Sequence, residues 1–455
     1  PGPGGISTVR VSVASGGGEG SDDSHYPSIS ADGMHVAFES SANDLVAVDI
    51  NALSDMFVHD LLGGTTTLVS VDSAGVQDPI PSSSTSPSLS SDGRYVAFQS
   101  DAVLVASDTN GIVDIFVHDR DFDGDGTYDD PGPGGISTVR VSVDSAGAQV
   151  DDPSYSPSIS ADGRYVAFES TSPDLVAGDG NGKFDIFVYD RDFDGDGTYD
   201  EPGPGATTTV RVSVASGGGE ANGDSSSSSI SADGRYAAFV SDAPDLVAGD
   251  GNGKFDIFVH DRDFDGNGTY DEPGPGATTT VRVSVASGGG EANGDSYSPS
   301  ISADGRYVAF QSDAPDLVAD DTNGKVDIFV RDRDADGDGT YDEPGEVSTT
   351  RVSVNLAGDG GNNYSNAPSI SPDGTSVTFE SDATNLVGND TNGKVDIFVD
   401  DLQAGTGEDE GDGDGNSSGG CFIATAADGR QARGRGETAR QDIQQAAGNG
   451  QLAGK

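Results

Sequence analysis

Ser156-Pro157-Ser158-Ile159-Ser160-Ala161-Asp162-Gly163-Arg164-Tyr165-Val166-Ala167-Phe168 holds two strand-length runs on either side of an Asp-Gly pair. Asp-Gly supplies the positive-φ turn that a tight hairpin needs. In the second run, 164–170, Val166 and Phe168 share one face, and Tyr165 and Ala167 share the other. Downstream, 185–190 alternates Ile186 and Val188 with Phe187 and Tyr189, so both faces are apolar and both need cover. A last run, 208–214, puts Val210, Val212 and Val214 on one face and Arg211 and Ser213 on the other, as expected of a half-exposed outer strand. With 157–160 as the first strand, the stretch reads as one unit of four short antiparallel strands.

The unit repeats. Its Asp-Gly turn recurs at Asp32, Asp92, Asp162, Asp233, Asp304 and Asp373, at intervals of 60, 70, 71, 71 and 69 residues. The first interval is short because 61–65 replaces an acidic insert present in the next four units. Six four-stranded units that are apolar on both faces predict an all-β fold, a six-bladed β-propeller in which blades cover one another. Residues 8–13 read as an outer strand, whereas the sixth unit stops after its third strand at 396–400. We therefore expect the N-terminal strand to complete the sixth blade and close the ring, leaving no unpaired edge. Residues 1–13 duplicate 131–143 and no initiator Met is present, so a fragment of a longer array is the alternative. The expected organisation is a propeller over 1–402, an acidic Gly-rich linker over 403–420, and a disordered C-terminal tail over 421–455.

Of the 455 residues, 78 are acidic and 23 basic, a formal charge of −55. Nucleic acid is excluded as a direct partner, because the phosphate backbone needs a basic surface. One Cys and five His rule out a disulfide framework and disfavour a zinc or iron–sulfur centre. No apolar run is long enough to form a transmembrane segment.

Residues 298–310, Ser-Pro-Ser-Ile-Ser-Ala-Asp-Gly-Arg-Tyr-Val-Ala-Phe, followed by Asp-Ile-Phe-Val at 327–330, resemble the TolB-type, WD-like propeller repeat. The resemblance covers about 8 to 402. It implies the fold and leaves function open, since such propellers include periplasmic protein-binding modules, peptidase domains and secreted proteins without assigned activity.

The inserts between third and fourth strands carry the chemistry. Asp192, Asp194, Asp196 and Asp200 stand at positions 1, 3, 5 and 9 of a loop with Gly197 at 6 and the Thr198 carbonyl at 7. Calcium takes six to eight oxygens, and this spacing wraps them around one ion. The pattern recurs at Asp121, Asp123, Asp125, Thr127 and Asp129, at Asp263, Asp265, Asn267, Thr269 and Asp271, and at Asp334, Asp336, Asp338, Thr340 and Asp342. Asn267 keeps the oxygen donor while removing a charge. An EF-hand register starting at Asp190 and ending at Glu201 is the alternative. The chosen one resembles the Asp-x-Asp-Gly-Asp-Gly-x-x-Asp loop of FG-GAP propellers and places Tyr199 inward. Crowded carboxylates repel one another without a cation, which is the physical reason to expect Ca2+. The competing reading is a solvated acidic turn.

A second acidic cluster spans 179–185, with counterparts at 250–256 and 321–327; Lys183 stands where a further oxygen would be required, which argues against metal there. His59, His118 and His260 occupy a position that carries Tyr189, Arg331 and Asp400 in other units, so no shared catalytic role is expected, and no Gly-x-Ser-x-Gly elbow is present. Residues 419–427 are similar to the Cys-Phe-Ile-Ala-Thr-Ala-Ala box near the C-termini of exported bacterial proteins, which implies processing or surface anchoring at Cys421. The reading that follows is a monomeric, secreted, periplasmic or cell-surface calcium-binding propeller that serves as a protein- or glycan-binding scaffold. The alternatives are a propeller hydrolase or lyase on polysaccharide or peptide, and a purely structural surface repeat.

Overall fold

The computed structural model describes residues 8–402, apart from 52, 81, 131, 133 and 389, together with the backbone of Phe422–Ile423. The expected linker over 403–420 and the rest of the expected tail lie outside the described residues. Six four-stranded antiparallel sheets follow one another along the chain, each in the order of its sequence. Blade three is formed by Ser154–Ile159, Tyr165–Ser170, Asp185–Asp190 and Thr208–Arg211. Its two central strands pair in uninterrupted register from Tyr165 opposite Asp190 to Ser170 opposite Asp185.

The facial alternation read from the sequence becomes the blade seams. Val166, Phe168, Phe187 and Tyr189 pack on Ala97, Ile115 and Val117 of blade two. Tyr165, Ala167, Ile186 and Val188 pack on Phe239 and Phe258 of blade four. A backbone bond crosses each successive seam at the hairpin turn: Ala31 N to Ser91 O, Ser91 N to Ala161 O, Ala161 N to Ala232 O, Ala232 N to Ala303 O and Ala303 N to Pro372 O, at 2.9–3.0 Å.

Two strands differ from their expected extents. The first starts at Ser154 rather than 157 and carries a bulge with Ser156 at φ 54°. The equivalent residues Tyr26, Ser86, Ser227, Ser298 and Ala367 share that backbone form. In blade three the amide it releases finds a side chain of the preceding blade, Ser156 N donating to Gln99 Oε1 at 2.8 Å. The fourth strand ends at Arg211 rather than 214, because Ser213 turns inward and donates to the buried Asp185 at 2.5 Å.

Completion of blade six by residues 8–13 is not seen. These residues form no strand, and Phe422–Ile423 lie in the fourth place, Ile423 opposite Phe398 and Phe422 opposite Val399. None of the helices that could be sought among the described residues is long and apolar enough to cross a membrane.

Candidate metal centre

Each insert is anchored by an arginine directly after the third strand. Arg191 is buried, donates Nη1 to Gly163 O at 2.7 Å, and donates Nε and Nη2 to Asp200 Oδ2 at 2.8 and 2.5 Å. Its guanidinium lies between the rings of Tyr95, from blade two, and Tyr199, with 4.7 and 5.0 Å to their centroids. Burial pushes the Tyr199 hydroxyl up to about 12. Arg262 and Arg333 repeat the arrangement with Tyr165 and Tyr270, and with Tyr236 and Tyr341. At Arg120 the first ring is replaced by His35, whose imidazole meets Tyr128 at 5.3 Å. A planar cation can stack on two rings while its edge chelates a carboxylate, which an ammonium cannot do. The acidic loop is thereby tied across a blade seam.

Beyond this anchor the loop turns through Gly195 and Gly197, at φ 71° and 90°, values that favour glycine. Asp192 is buried and accepts from Gly197 N at 3.2 Å, Asp194 accepts from Asp196 N at 3.4 Å, and Asp196 accepts from Thr198 N at 2.9 Å. These bonds turn three carboxylates toward one point. In the triads Asp121/Asp123/Asp125, Asp192/Asp194/Asp196 and Asp334/Asp336/Asp338, one oxygen from each residue lies within 4.8 Å of the others, so each triad could bind a metal ion. The donors are all hard oxygens, which suits calcium or magnesium and not a thiophilic metal. Blade four puts Asp263, Asp265 and Asn267 in the same place, with Asn267 Nδ2 donating to Asp265 at 3.1 Å and to Glu272 at 2.7 Å.

The structure therefore gathers positions 1, 3 and 5 of the expected loop. Position 9 is turned elsewhere: Asp129, Asp200, Asp271 and Asp342 each chelate the anchoring arginine, at positive φ between 57° and 62°. Thr127, Thr198, Thr269 and Thr340 donate their amides to the side chain at position 5. The anchoring arginines were not picked out from the sequence. The available signal was a lone cation recurring within Asp-Arg-Asp at the head of four acidic inserts.

The second acidic cluster is filled from within. Arg211 Nη1 lies 3.3 Å from Asp179, 3.4 Å from Asp185 and 2.9 Å from Glu220. Arg140, Arg282 and Arg351 likewise lie between two aspartates in their blades, and Arg282 also meets Glu291 at 3.0 Å. Desolvation pushes Asp179 and Asp250 up to about 6 in spite of their arginines. Lys183, expected to occupy this cluster, reaches Asp224 instead, at 3.1 Å. In blade one Leu68 stands opposite Phe57 where Arg211 stands opposite Phe187. Gln77 there donates to Asp55 at 2.8 Å, and burial lifts Asp55 to about 6.

His118 and His260 are buried, and burial takes both down to about 4. Thr138 Oγ1 donates to Val71 O in blade one at 2.6 Å, so the 2.8 Å contact from His118 has Nδ1–H as donor. The chain His118–Thr138–Val71 is a seam connection. Around the axis, a cavity of about 430 Å³ is lined by Ser-Pro pairs such as Ser86-Pro87, Ser156-Pro157 and Ser298-Pro299. Its described lining residues include no carboxylate, imidazole, thiol or amine side chain.

Fold and loops together define a six-bladed β-propeller with acidic loops able to take metal ions. No protein-family model and no curated protein matches the chain. Among solved structures it is similar to TolB from Acinetobacter baumannii, at 17% identity and a TM-score of 0.33, over 65% of this chain and 53% of that one. It thus spans about half of that protein. It is also similar to a putative TolB from Agrobacterium tumefaciens, at 18% identity and a TM-score of 0.35, over 71% of this chain and 78% of that one. A third similarity is to an oligogalacturonate lyase in complex with manganese, at 11% identity and a TM-score of 0.43, over 83% and 74% of the two chains. Likenesses this distant carry no argument about what the protein does.

Proposed function

We propose that this protein is an exported, calcium-stabilised propeller that acts as a protein- or glycan-binding scaffold. The observation that carries the reading is the repetition of one built loop, in which carboxylates at positions 1, 3 and 5 converge and the loop base is locked by an Arg–Asp pair whose buried arginine also stacks, in three of the blades, on a tyrosine of the preceding blade. The residues that would hold the ion are Asp121, Asp123 and Asp125, Asp192, Asp194 and Asp196, Asp263, Asp265 and Asn267, and Asp334, Asp336 and Asp338. Calcium would neutralise each cluster and stiffen the loop against its anchor. The exported location is supported by the affinity class such loops have in extracellular modules, which fill at extracellular calcium levels.

Binding is favoured over catalysis by the exposed surface. Phe122, Phe193 and Phe264, each about half exposed, stand at position 2 of three loops and present the same apolar contact three times around the rim. Repeated equivalent contacts suit multivalent attachment, whereas an active site needs residues that occur once. The tail box is consistent with anchoring of the module at a cell surface.

The test is thermal and chemical unfolding with calcium and with chelator. For dissociation constants on the order of 10⁻⁴–10⁻³ M, about 10 mM calcium stabilises by about 1.4–2.7 kcal/mol per site. Superimposable unfolding curves with and without the ion would remove calcium from the reading. Hydrolysis or elimination on a polysaccharide or peptide panel would replace the scaffold with the enzyme.

A further inference from the structure

In blades two to five, an arginine of the fourth strand sits in a slot made by two aspartates of its own blade: Arg140 with Asp108 and Asp114, Arg211 with Asp179 and Asp185, Arg282 with Asp250 and Asp256, Arg351 with Asp321 and Asp327. The serine two residues on donates to the second aspartate, as Ser213 does to Asp185 at 2.5 Å and Ser353 to Asp327 at 2.6 Å. Blade six has the same slot in Asp390 and Asp396. Asn392 donates to Asp396, as Asn181 does to Asp185. Yet both carboxylate oxygens of Asp390 are buried without a hydrogen-bond partner. Ile423, opposite Phe398, stands where those arginines stand and brings no cation.

A segment that fits the slot lies at the other end of the described chain. Residues 8–13 read Thr-Val-Arg-Val-Ser-Val, as do 138–143, and Arg10 already holds Glu19 at 2.6 Å as Arg211 holds Glu220 at 2.9 Å. The residues just after Arg10 are seated on blade one as each blade's tail is seated on the next. Thr66 Oγ1 donates to Val13 O, and Thr66 N donates to Ser15 Oγ at 2.9 Å; Thr209 makes the same two bonds to Val143 and Ser145. Residues 13–15 thus take the place that the tail of blade six takes in a complete ring. Meanwhile Arg10 is more than half exposed, and Val9 and Ile29 are 61% exposed, although the counterparts of Ile29 in the other five blades are buried. On the facing side of blade six, Val395 and Ile397 are also more than half exposed.

We propose that the Asp390–Asp396 slot is the docking site for Arg10 of the same chain, with residues 8–11 taking the place of Phe422–Ile423 as the fourth strand of blade six. The guanidinium enters between the two carboxylates, Ser12 donates to Asp396, and Val9 lies opposite Val399. Charge is what selects this segment over the C-terminal box. Both can offer a strand edge, but only 8–11 carries the cation that the slot leaves uncompensated. Calcium plays no part in this contact, so it is tested in chelator and stands or falls separately from the metal reading.

The full-length chain with Val9→Cys, Val399→Cys and Cys421→Ser is oxidised at low protein concentration. Facing residues of an antiparallel pair lie within disulfide reach, so an intramolecular disulfide is the expected product. Arg10→Ala in that background slows its formation by about tenfold or more, as loss of a buried ion pair requires. Arg10→Asp combined with Asp390→Arg restores it. Disulfide-linked dimers, no disulfide at all, or an unchanged rate with Arg10→Ala each overturn the proposal. Hydrogen exchange on the unmodified protein gives a second measurement that needs no variant. Protection of the amides of 9–11 equal to that of 139–141 supports docking, and free exchange there refutes it.

Discussion

Replacing Arg191 by Met tests whether the acidic loops are held from inside. The guanidinium is buried, chelates Asp200, caps Gly163 O and stacks on Tyr95 and Tyr199. Met fills much of the volume but leaves the Asp200 carboxylate without its guanidinium, and Asp200 Oδ1 is already buried without a hydrogen-bond partner. Breaking a buried pair from one side costs about 3–5 kcal/mol. A chain of this size shifts its melting temperature by roughly 1–2 °C per kcal/mol, by extension from smaller domains, so a drop of roughly 5 °C is expected. The cost comes mainly from the stranded carboxylate. Arg191→Met with Asp200→Asn should therefore lose clearly less than Arg191→Met alone, although it lacks more native groups. Differential scanning calorimetry of the wild type, both single variants and the double variant, all in chelator, supplies the cycle. Additive losses in the double variant, or an Arg191→Met melting point equal to wild type, would refute the seam-anchor argument.

Three further outcomes are expected. His118 and His260 stay neutral down to about 4 in the fold and take up protons near 6.5 when unfolded. The stability they contribute is complete above pH 6.5 and is lost as pH falls toward 4, by up to about 3 kcal/mol each. Asp55, Asp179 and Asp250, raised to about 6, act oppositely, their contribution being lost as pH rises through 6. His118→Gln with His260→Gln should gain on wild type between pH 7 and pH 5 in urea midpoints, and a pH-independent offset would contradict this. Gly163→Ala should destabilise more than Gly178→Ala: both have positive φ, but the new Cβ at 163 would lie 2.2 Å from the Tyr95 ring whereas that at 178 meets open space. Overpacking adds about 1–3 kcal/mol at the first site only, read from denaturant midpoints. Arg211→Leu alone should cost about 3–5 kcal/mol by exposing three acids to one another; adding Glu220→Gln, which copies Leu68 and Gln77 of blade one, should recover part of that loss.

The fold was legible because the repeat states it six times, and the two-faced strand at 185–190 has no use outside a stack of sheets. Val166 with Phe168 and Tyr165 with Ala167 face opposite neighbours, as their alternation required. The site was legible only in part. The positions 1, 3 and 5 carboxylates could be read because their spacing along the loop is also their spacing in space. Asp200 could not, since its partner Arg191 and the ring of Tyr95 come together only across a seam. Arg211 misled for a related reason: strand alternation placed it on a half-exposed face, and the acids that bury it arrive from 179–185 and from Glu220.

These arginines also bear on why the loop tips could take a cation from solution. Among the described residues, Arg94, Arg120, Arg164, Arg191, Arg235, Arg262, Arg306 and Arg333 face carboxylates at the insert bases, and Arg140, Arg211, Arg282 and Arg351 face those of the inter-strand clusters. Lys183 and Lys254 reach Asp224 and Asp295, and Lys325 lies 4.6 Å over the Tyr364 ring. Most of the cations among the described residues are thus committed to carboxylates at the insert bases and in the inter-strand clusters. Asp123, Asp125, Asp194, Asp196, Asp336 and Asp338 have no lysine or arginine partner among the described residues, yet backbone amides aim them at one another. Monovalent counterions screen such triads only diffusely, whereas a divalent ion can bridge three carboxylates at once. A fold whose described cations are largely committed to its own buried carboxylates leaves the neutralisation of its loop tips to the solvent, and that division of labour is the physical basis for the calcium proposed there.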